Sequence, residues 1–127
     1  MVAYLLMSKI RVLKFGGTSL GNAKRFKVVA NIIARADPKK SVVVVSAVTG
    51  ITNALLQLAH ETKSEKRRKI ARDVRDVHEN LCAGLSLSLE VCAPLLKELD
   101  QLAGQRPKAS KKESDTFVSF GERLSAS

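Results

Sequence analysis

The sequence is poor in aromatic side chains and has no tryptophan, although 45% of its 127 residues are apolar. Aromatic residues make up 4% of the chain, so few rings are present to form the stacking platforms that bind single-stranded nucleic acid. The apolar content is enough for a folded domain of ordinary size and excludes disorder of the whole chain. We therefore expect one globular unit whose function does not depend on base stacking.

Cysteines and membrane-type segments are also scarce. The two cysteines, Cys82 and Cys92, form no CxxC pair and have no histidine nearby at ligand spacing, so we expect core thiols in a reducing compartment. The apolar stretch 1–7 is too short to span a membrane and lacks the basic region of a secretory signal. These features predict a cytoplasmic protein with no membrane attachment.

Acidic residues are outnumbered by basic ones, 12 to 22, which gives a net charge of +10. Such an excess suits an anionic partner, whether a nucleotide, a nucleic acid or a membrane surface. Because no nucleic-acid-binding fold accompanies the charge, we predict solvated helix surface and loop, and keep a basic nucleic-acid-binding module at 62–112 as an alternative. The excess lies in two groups: Lys63, Lys66, Arg67, Arg68, Lys69, Arg72 and Arg75, then Arg106, Lys108, Lys111 and Lys112.

A strand-like run at 9–14 ends on Lys14, and two glycines follow directly after Phe15. Paired glycines allow backbone N–H groups to approach an anion without interference from a Cβ atom. We expect a hydroxyl residue, Thr18 or Ser19, to cap the helix that follows and to add the donors of its first turn. This combination predicts a polyphosphate site.

A second strand with four successive valines is predicted at 41–48. Between the strands, apolar residues at helical spacing predict a helix that begins near Asn22 and stops at Pro38. Strand, helix and strand form a βαβ unit, so Lys14 and Ser46 should lie at the same edge of a parallel sheet, where ligands of α/β proteins bind. The valine strand is predicted to be central and apolar on both faces. The helical stripe is Phe26, Val29, Ala30 and Ile33.

The second strand also ends in a small, hydroxyl-rich turn that leads into a helix. Ser46, Thr49 and Thr52 can therefore present hydroxyl groups or helix N–H groups to an anion. Equally, Thr49 or Thr52 can simply cap its own helix, and the sequence leaves both interpretations open.

The rest of the chain is predicted to be helical. An amphipathic helix from 62 to 83 has a basic outer face and ends at Gly84, and Pro94 suits the first turn of the next helix. The two histidines are expected to be surface or half-buried residues, and 104–112 is expected to be a polar loop. The apolar stripe of the first of these helices is Ile70, Val74, Val77 and Leu81, and the histidines are His60 and His78.

A final helix is predicted with Asp115 as its cap and an apolar face of Phe117, Phe120 and Leu124. Glu122 lies outside that face, so it points either to solvent or to the ligand edge. Gly121 lowers helix propensity and indicates close backbone packing or the approach of a ligand. The GxxxxGK[ST] phosphate motif is absent, and the spacing of Gly16, Gly17 and Gly21 does not give GxGxxG. Here the lysine precedes the glycines.

Three motifs in fixed order resemble those of the aspartate kinases, within the amino-acid kinase superfamily: KFGGTS at 14–19, then VSA at 45–47 with GITN at 50–53, and GERLSA at 121–126. The resemblance implies a three-layer αβα fold with a mainly parallel sheet, the carbamate kinase-like amino-acid kinase fold, present here in incomplete form. Residues 9–61 would be its nucleotide and substrate core, 62–112 a basic helical insertion and 113–127 a substrate-site helix.

The same resemblance implies roles for individual residues. Lys14 would contact the ATP phosphates and stabilise charge during transfer, with Phe15, Gly16, Gly17, Thr18 and Ser19 forming the nucleotide loop. Ser46 and Thr52 would lie beside L-aspartate, and Glu122 would receive its α-amino group. ATP and Mg²⁺ are the implied cofactors, the metal being bound through the nucleotide without a protein ligand.

The implied activity is the ATP-dependent phosphorylation of the aspartate side-chain carboxylate to 4-phospho-L-aspartate, the first step towards lysine, threonine and methionine. The later segment that completes the site in the family, and the regulatory ACT domains, cannot be placed in this sequence. We therefore expect the N-terminal part of a kinase domain, inactive alone, whose parent protein forms a homo-oligomer through those regulatory domains. Another acceptor, acetylglutamate, glutamate or carbamate, is the alternative within the superfamily.

Overall fold

The computed structural model describes residues 9–105 and 110–127, which form five helices and a two-stranded parallel sheet. Residues 1–8 and 106–109, which include Arg106 and Lys108 of the predicted basic loop, lie outside the described residues. The elements in chain order are β1 (Arg11–Phe15), α1 (Ala23–Ala34), β2 (Ser41–Val45), α2 (Ile51–His60), α3 (Ser64–Leu85), α4 (Ala93–Gly104) and α5 (Lys111–Ala126), with short 3-10 turns at Gly17–Leu20 and Leu89–Val91.

The predicted βαβ unit is present. β1 and β2 pair in parallel, with Lys14 opposite Val44, so both strands end at the same edge of the sheet. α1 begins after Asn22, whose side-chain oxygen accepts a hydrogen bond from the Arg25 backbone N–H at 3.0 Å. The prediction that Thr18 or Ser19 caps this helix is therefore wrong, because both residues belong to the 3-10 turn that precedes it.

The valine strand differs from its prediction in burial. Val42, Val43 and Val44 are between 39% and 49% exposed, and Val12 on β1 is 63% exposed. A parallel sheet normally has both faces covered, usually by helices. Within 9–105 and 110–127 the sheet has only two strands and a large apolar area open to solvent, so neither the predicted central strand nor three complete layers are seen there.

The core is formed mainly by α2, α3, α4 and α5, with Ala47 and Val48 from the turn after β2. The face that α3 turns towards this core is shifted from the predicted stripe, because Val77 is 37% exposed while His78 is 3% exposed. Arg67, predicted to belong to the basic outer face, is 1% exposed. The predictions of a surface Arg67 and of a surface or half-buried His78 are therefore wrong.

The end of α3 is set by Ser86, which adopts a left-handed conformation with φ of 58°. Gly84 does not end the helix as predicted. A Cβ atom at Gly84 would come within 2.7 Å of the Ala23 Cβ, so this glycine lets α1 and α3 approach closely. Pro94 lies in the first turn of α4, as predicted.

α5 begins four residues before its predicted cap. Ser110 is the N-cap, and its hydroxyl accepts a hydrogen bond from the Glu113 backbone N–H at 3.2 Å. Asp115 therefore lies inside the helix and the prediction that it caps α5 is wrong. The predicted apolar face is confirmed, since Phe117, Phe120 and Leu124 are all buried. In the part of the chain that the structure describes, no helix combines the length and apolar character needed to cross a membrane.

Candidate functional site

Two loops meet at the edge where both strands end: a first loop, 16–22, after β1 and a second loop, 46–50, after β2. The Thr49 hydroxyl donates a hydrogen bond to the Gly17 carbonyl at 2.7 Å. The Ser46 backbone N–H extends the strand pairing by donating to the Phe15 carbonyl at 3.0 Å. The loops that carry the predicted phosphate and acceptor residues are thus joined directly.

Hydrogen bonds within the first loop and from α1 hold its backbone. Within it, the Ser19 N–H donates to the Gly16 carbonyl at 3.0 Å, and the Arg25 guanidinium of α1 donates to the Thr18 carbonyl. Gly16 has an extended backbone, and a Cβ atom placed on it would meet no other atom within 4 Å. The chain's own packing therefore leaves open space beside this glycine, on the loop that follows the exposed Lys14.

The second loop enters α2 through Gly50, whose φ of 84° is a conformation that favours glycine. Gly50 is the N-cap and makes no side-chain capping hydrogen bond. Neither Thr49 nor Thr52 is therefore the N-cap of α2, and Thr49 instead reaches the first loop. The interpretation of these threonines as simple caps is wrong.

α5 reaches the second loop through Gly121, which is buried. A Cβ atom on Gly121 would lie 2.6 Å from the Ala47 Cβ and 3.6 Å from Cγ2 of Ile51. The close packing predicted for this glycine is confirmed. We call the contact between Ala47, Ile51 and Gly121 the glycine contact.

Each predicted substrate residue is the chain neighbour of one member of the glycine contact. Ser46 precedes Ala47, Thr52 follows Ile51, and Glu122 follows Gly121. Ser46 and Thr52 are half-buried, whereas Glu122 is exposed. The packing of Gly121 on Ala47 and Ile51 therefore brings the α5 backbone beside the segment 46–52. The binding roles of Ser46, Thr52 and Glu122 stay predictions.

Sequence reasoning missed the residues that hold this region together. The Thr49 hydrogen bond and the Arg25 bond to Thr18 join positions 32 and 7 residues apart, and no local pattern indicates either. Asn22 could have been found, because asparagine directly before a helical stripe is a standard N-cap signal.

A cavity of about 480 Å³ lies between the first loop and α1. Only part of the predicted nucleotide loop, Phe15, Thr18 and Ser19, lines it, and the remainder is mostly apolar and includes the exposed Val28 and Ile32. Lys14, Ser46, Thr52 and Glu122 are not in its wall. We therefore assign the cavity to the uncovered apolar surface beside the sheet, not to the chemistry predicted for the loops.

Arg67 of α3 joins the ends of α2 and α4. Its guanidinium donates to the Leu58 carbonyl at 2.8 Å and the Glu61 carbonyl at 3.0 Å, at the end of α2, and its Nε donates to the Ala103 carbonyl at 3.1 Å, at the end of α4. The same group lies over the Phe117 ring of α5, 5.3 Å from its centre. A buried cation is stabilised here by the negative ends of two helices and an aromatic face.

The remaining basic residues of α3 are partly neutralised within the chain. Lys69 pairs with Asp73 at 2.7 Å, while Arg75 pairs with Glu79 at 3.3 Å and also with Asp100. The bond to Asp100, and secondarily the bond to Glu79, raise the pKa of Arg75 against the opposing effect of burial. The positive stretch of the sequence is thus less available to an external anion than its composition suggests.

Comparison with known proteins identifies the family. The family model described as "Amino acid kinase family" matches residues 9–127. The chain belongs to the amino acid kinase family. The match includes both loops and the whole of α5, the parts that form the candidate site.

Aspartokinases are among its relatives. The aspartokinase of Chlamydia pneumoniae is 36% identical over 121 residues, which cover 95% of this chain and 26% of that protein. "Putative inactive aspartokinase 3" of Haemophilus influenzae is 44% identical over 64 residues, which cover 50% of this chain and 52% of that protein. The chain thus spans about a quarter of the length of the first of these relatives.

Solved aspartokinases have the same arrangement of elements. Aspartokinase III of Escherichia coli, in complex with aspartate and ADP, matches with a TM-score of 0.78 and 30% identity over 92% of this chain and 27% of that one. The same enzyme in complex with lysine and aspartate matches with a TM-score of 0.77 and 31% identity over 91% of this chain and 27% of that one. The described residues therefore form part of the amino-acid kinase fold, in a form similar to aspartokinases.

Proposed function

We propose that this chain carries the nucleotide loop and part of the acceptor site for the ATP-dependent phosphorylation of L-aspartate to 4-phospho-L-aspartate. The observation that supports the proposal is the junction of the two loops, in which the Thr49 hydroxyl bonds to the Gly17 carbonyl and the glycine contact packs α5 against the turn that follows Ser46. The aspartate and ADP present in the related Escherichia coli structure support this choice of ligands.

The phosphate side of the reaction would use Lys14 and the backbone of the first loop. Phosphoryl transfer depends mainly on positioning and on stabilising charge that spreads over the transferred group. The Lys14 ammonium would contact those oxygens, and the open space beside Gly16 would allow phosphate to approach the backbone N–H groups. Phe15, Gly17, Thr18 and Ser19 complete the proposed loop.

The acceptor side would use Glu122 for the α-amino group of aspartate, since a carboxylate suits an ammonium group. Ser46 and Thr52 would donate hydroxyl hydrogen bonds to its carboxyl groups. An oxygen of the side-chain carboxylate would attack the γ-phosphorus, form the new P–O bond and release ADP as the bond to the bridging oxygen breaks. The carboxylate is already ionised at neutral pH, so no base is needed.

Mg²⁺ would be bound through the phosphates of the nucleotide. Among residues 9–105 and 110–127, no group of three or more His, Cys, Asp or Glu side chains is placed to hold a metal ion. The cytoplasmic location, the biosynthetic role and assembly into a homo-oligomer are further predictions for the parent protein.

Nucleotide binding is the first test, because the chain spans about a quarter of the length of the Chlamydia pneumoniae aspartokinase and binding can be measured apart from turnover. We expect ATP with magnesium to raise the thermal midpoint of the chain by mass action. Lys14→Met should abolish most of that shift. Lys24→Met, which removes an exposed lysine on α1, should retain it. Equal shifts for the wild type and Lys14→Met would contradict the proposed loop.

Acceptor binding is tested with Glu122→Gln, in a calorimetric titration of the ATP-bound chain with aspartate, acetylglutamate, glutamate and carbamate. We expect aspartate to bind most tightly and the variant to lose aspartate affinity about tenfold or more, because a charged hydrogen bond is replaced by a neutral one. ATP affinity should stay unchanged. Preference for another acceptor would move the proposal to that kinase class.

A further inference from the structure

The two cysteines are neighbours in space although they lie on different elements. Cys82 is in the last turns of α3 and Cys92 is the residue before α4, and their Sγ atoms are 3.7 Å apart. Both are buried and carry free thiols. We propose that Cys82 and Cys92 are a modification site, at which a peroxide-class oxidant forms a reversible disulfide between the end of α3 and the start of α4.

The distance to be closed is small. A disulfide has an S–S length of about 2.05 Å, so the sulfur atoms must approach by roughly 1.7 Å. The segment that joins the two helices is suited to such a shift, since it contains the left-handed Ser86 and a single 3-10 turn. Its apolar side chains Leu87, Leu89 and Val91 are between 41% and 51% exposed, so most of the packing that opposes the shift is at Cys92 itself, which is 3% exposed.

A small oxidant has a place to bind. Both cysteines line a cavity of about 160 Å³, which suffices for a molecule close to water in size. Ser125 lines the same cavity, and among the described residues its hydroxyl is buried without a hydrogen-bond partner. A buried hydroxyl of this kind can hydrogen-bond to a peroxide, which would otherwise enter an apolar space.

The chemistry balances with hydrogen peroxide as the oxidant. The thiolate of one cysteine attacks a peroxide oxygen, which breaks the O–O bond, gives a sulfenic acid and releases hydroxide. The second thiol attacks the sulfenic sulfur, forms the S–S bond and releases water. Two thiols are oxidised, one peroxide is reduced to two waters, and a dithiol reductant reverses the change.

Oxidation of these thiols by peroxide should be slow in the folded chain. Burial and, to a smaller extent, the hydrogen bond with Cys82 raise the pKa of Cys92 to about 11. Only the thiolate reacts, so a raised pKa lowers the rate. The proposed site therefore depends on the closeness of two sulfur atoms, not on one unusually reactive thiol.

The first test compares the folded chain with the same chain unfolded in urea, each equilibrated in one buffer of reduced and oxidised glutathione. Closeness of the thiols in the fold should raise the ratio of intramolecular disulfide to dithiol by at least about tenfold over the unfolded chain. The ratio is measured by alkylating the free thiols and determining the mass of the intact protein by mass spectrometry. An equal or lower ratio in the folded chain would overturn the proposal.

The second test uses hydrogen peroxide under folding conditions. The wild type should lose the mass of two hydrogen atoms, yield a peptide pair linked through Cys82 and Cys92, and recover both thiols with dithiothreitol. Cys82→Ser and Cys92→Ser should instead stop at a sulfenic acid that dimedone captures. Oxidation of the wild type to sulfinic acid or to disulfide-linked dimers, without the disulfide between Cys82 and Cys92, would contradict the proposal.

Discussion

The helical body and the strand pair of this molecule bury their apolar side chains to very different extents. In the body, formed by α2 to α5, the core side chains Leu55, Leu99 and Phe120 are completely buried, and even the charge of Arg67 is enclosed. The strand pair leaves Val12 and Val42 about half exposed or more. The candidate site lies between these regions, with its loops attached to the strands and its predicted acceptor residues attached to the body.

The difference lies in how closely the two halves of the candidate site adjoin packed residues. Ser46, Thr52 and Glu122 adjoin the glycine contact, which belongs to the packed body. Lys14 extends from a strand whose apolar surroundings are open. We therefore expect the acceptor residues to be well positioned, and the nucleotide loop to depend more on cover supplied to the sheet.

The largest effect is expected from Arg67, whose charge the body encloses. Arg67→Met removes the donors that reach carbonyl groups at the ends of α2 and α4, and should lower the free energy of unfolding by about 3 kcal/mol or more. Arg68→Met, at the exposed neighbour, should change it by less than about 0.5 kcal/mol. Urea unfolding followed by circular dichroism measures both. Equal effects would show that the buried guanidinium does not anchor the body.

A smaller loss is expected at the junction of body and strands. Gly121→Ala places a methyl group 2.6 Å from the Ala47 Cβ and should cost about 1–3 kcal/mol through overpacking. Adding Ala47→Gly should recover part of that loss, since the two sites are in contact. Gly104→Ala, where an added Cβ meets nothing within 4 Å, is the matched control and should be neutral or slightly stabilising. Additive effects at positions 121 and 47 would argue against the glycine contact.

Acid should weaken the body through His78. Burial lowers the pKa of this histidine below its ordinary value of 6.5, against the weaker effect of its bond to the Val74 carbonyl at 2.7 Å. Below about pH 6.5 the unfolded chain therefore takes up a proton that the folded chain resists, so stability falls as the pH falls towards the lowered pKa.

Urea midpoints at about pH 7.5 and about pH 5.5 should separate less for His78→Leu than for the wild type. His60→Leu, at the exposed histidine, should keep the pH dependence of the wild type. If His78→Leu keeps it as well, other groups are responsible for the acid sensitivity.

The smallest effect is expected on the strand pair. Val42→Thr or Val44→Thr replaces a methyl group by a hydroxyl on an exposed face, and should change the free energy of unfolding by less than about 0.5 kcal/mol. The same substitution at Val74, which is 1% exposed, should lower the free energy of unfolding by about 1–3 kcal/mol, because the buried hydroxyl loses its hydrogen bonds to water. Comparable losses at strand and body would remove the contrast between the two regions.

Patterns that act over a few residues were sufficient to predict much of the fold. Helical spacing located α1 and the core side of α5, and the strands β1 and β2 were found from alternation and from the valine run. Pro94 was placed correctly because proline in a first helical turn loses no hydrogen bond. The start of α5 was also available, since Ser110 and Glu113 form the S-x-x-E signature of a helix cap.

Other features depend on groups far apart in the chain. Arg67 is buried because carbonyls of α2 and α4, up to 36 residues away, meet its guanidinium, and neither helix is visible in the local pattern around it. Thr49 was a plausible cap until the fold placed the Gly17 carbonyl within its reach. The sequence motifs predicted the residues of the candidate site, whereas the contacts that join its two loops could only be found in three dimensions.

The glycine contact has a consequence for how much the site can vary. Gly121 has no side chain and Ala47 has a single methyl group, so neither can change rotamer to widen or narrow the gap between α5 and the turn after β2. Only backbone movement alters that spacing. The glycine contact therefore fixes how far apart the backbones of Ser46 and Glu122 lie, and we expect the Glu122 side chain alone to adjust to an acceptor one methylene longer.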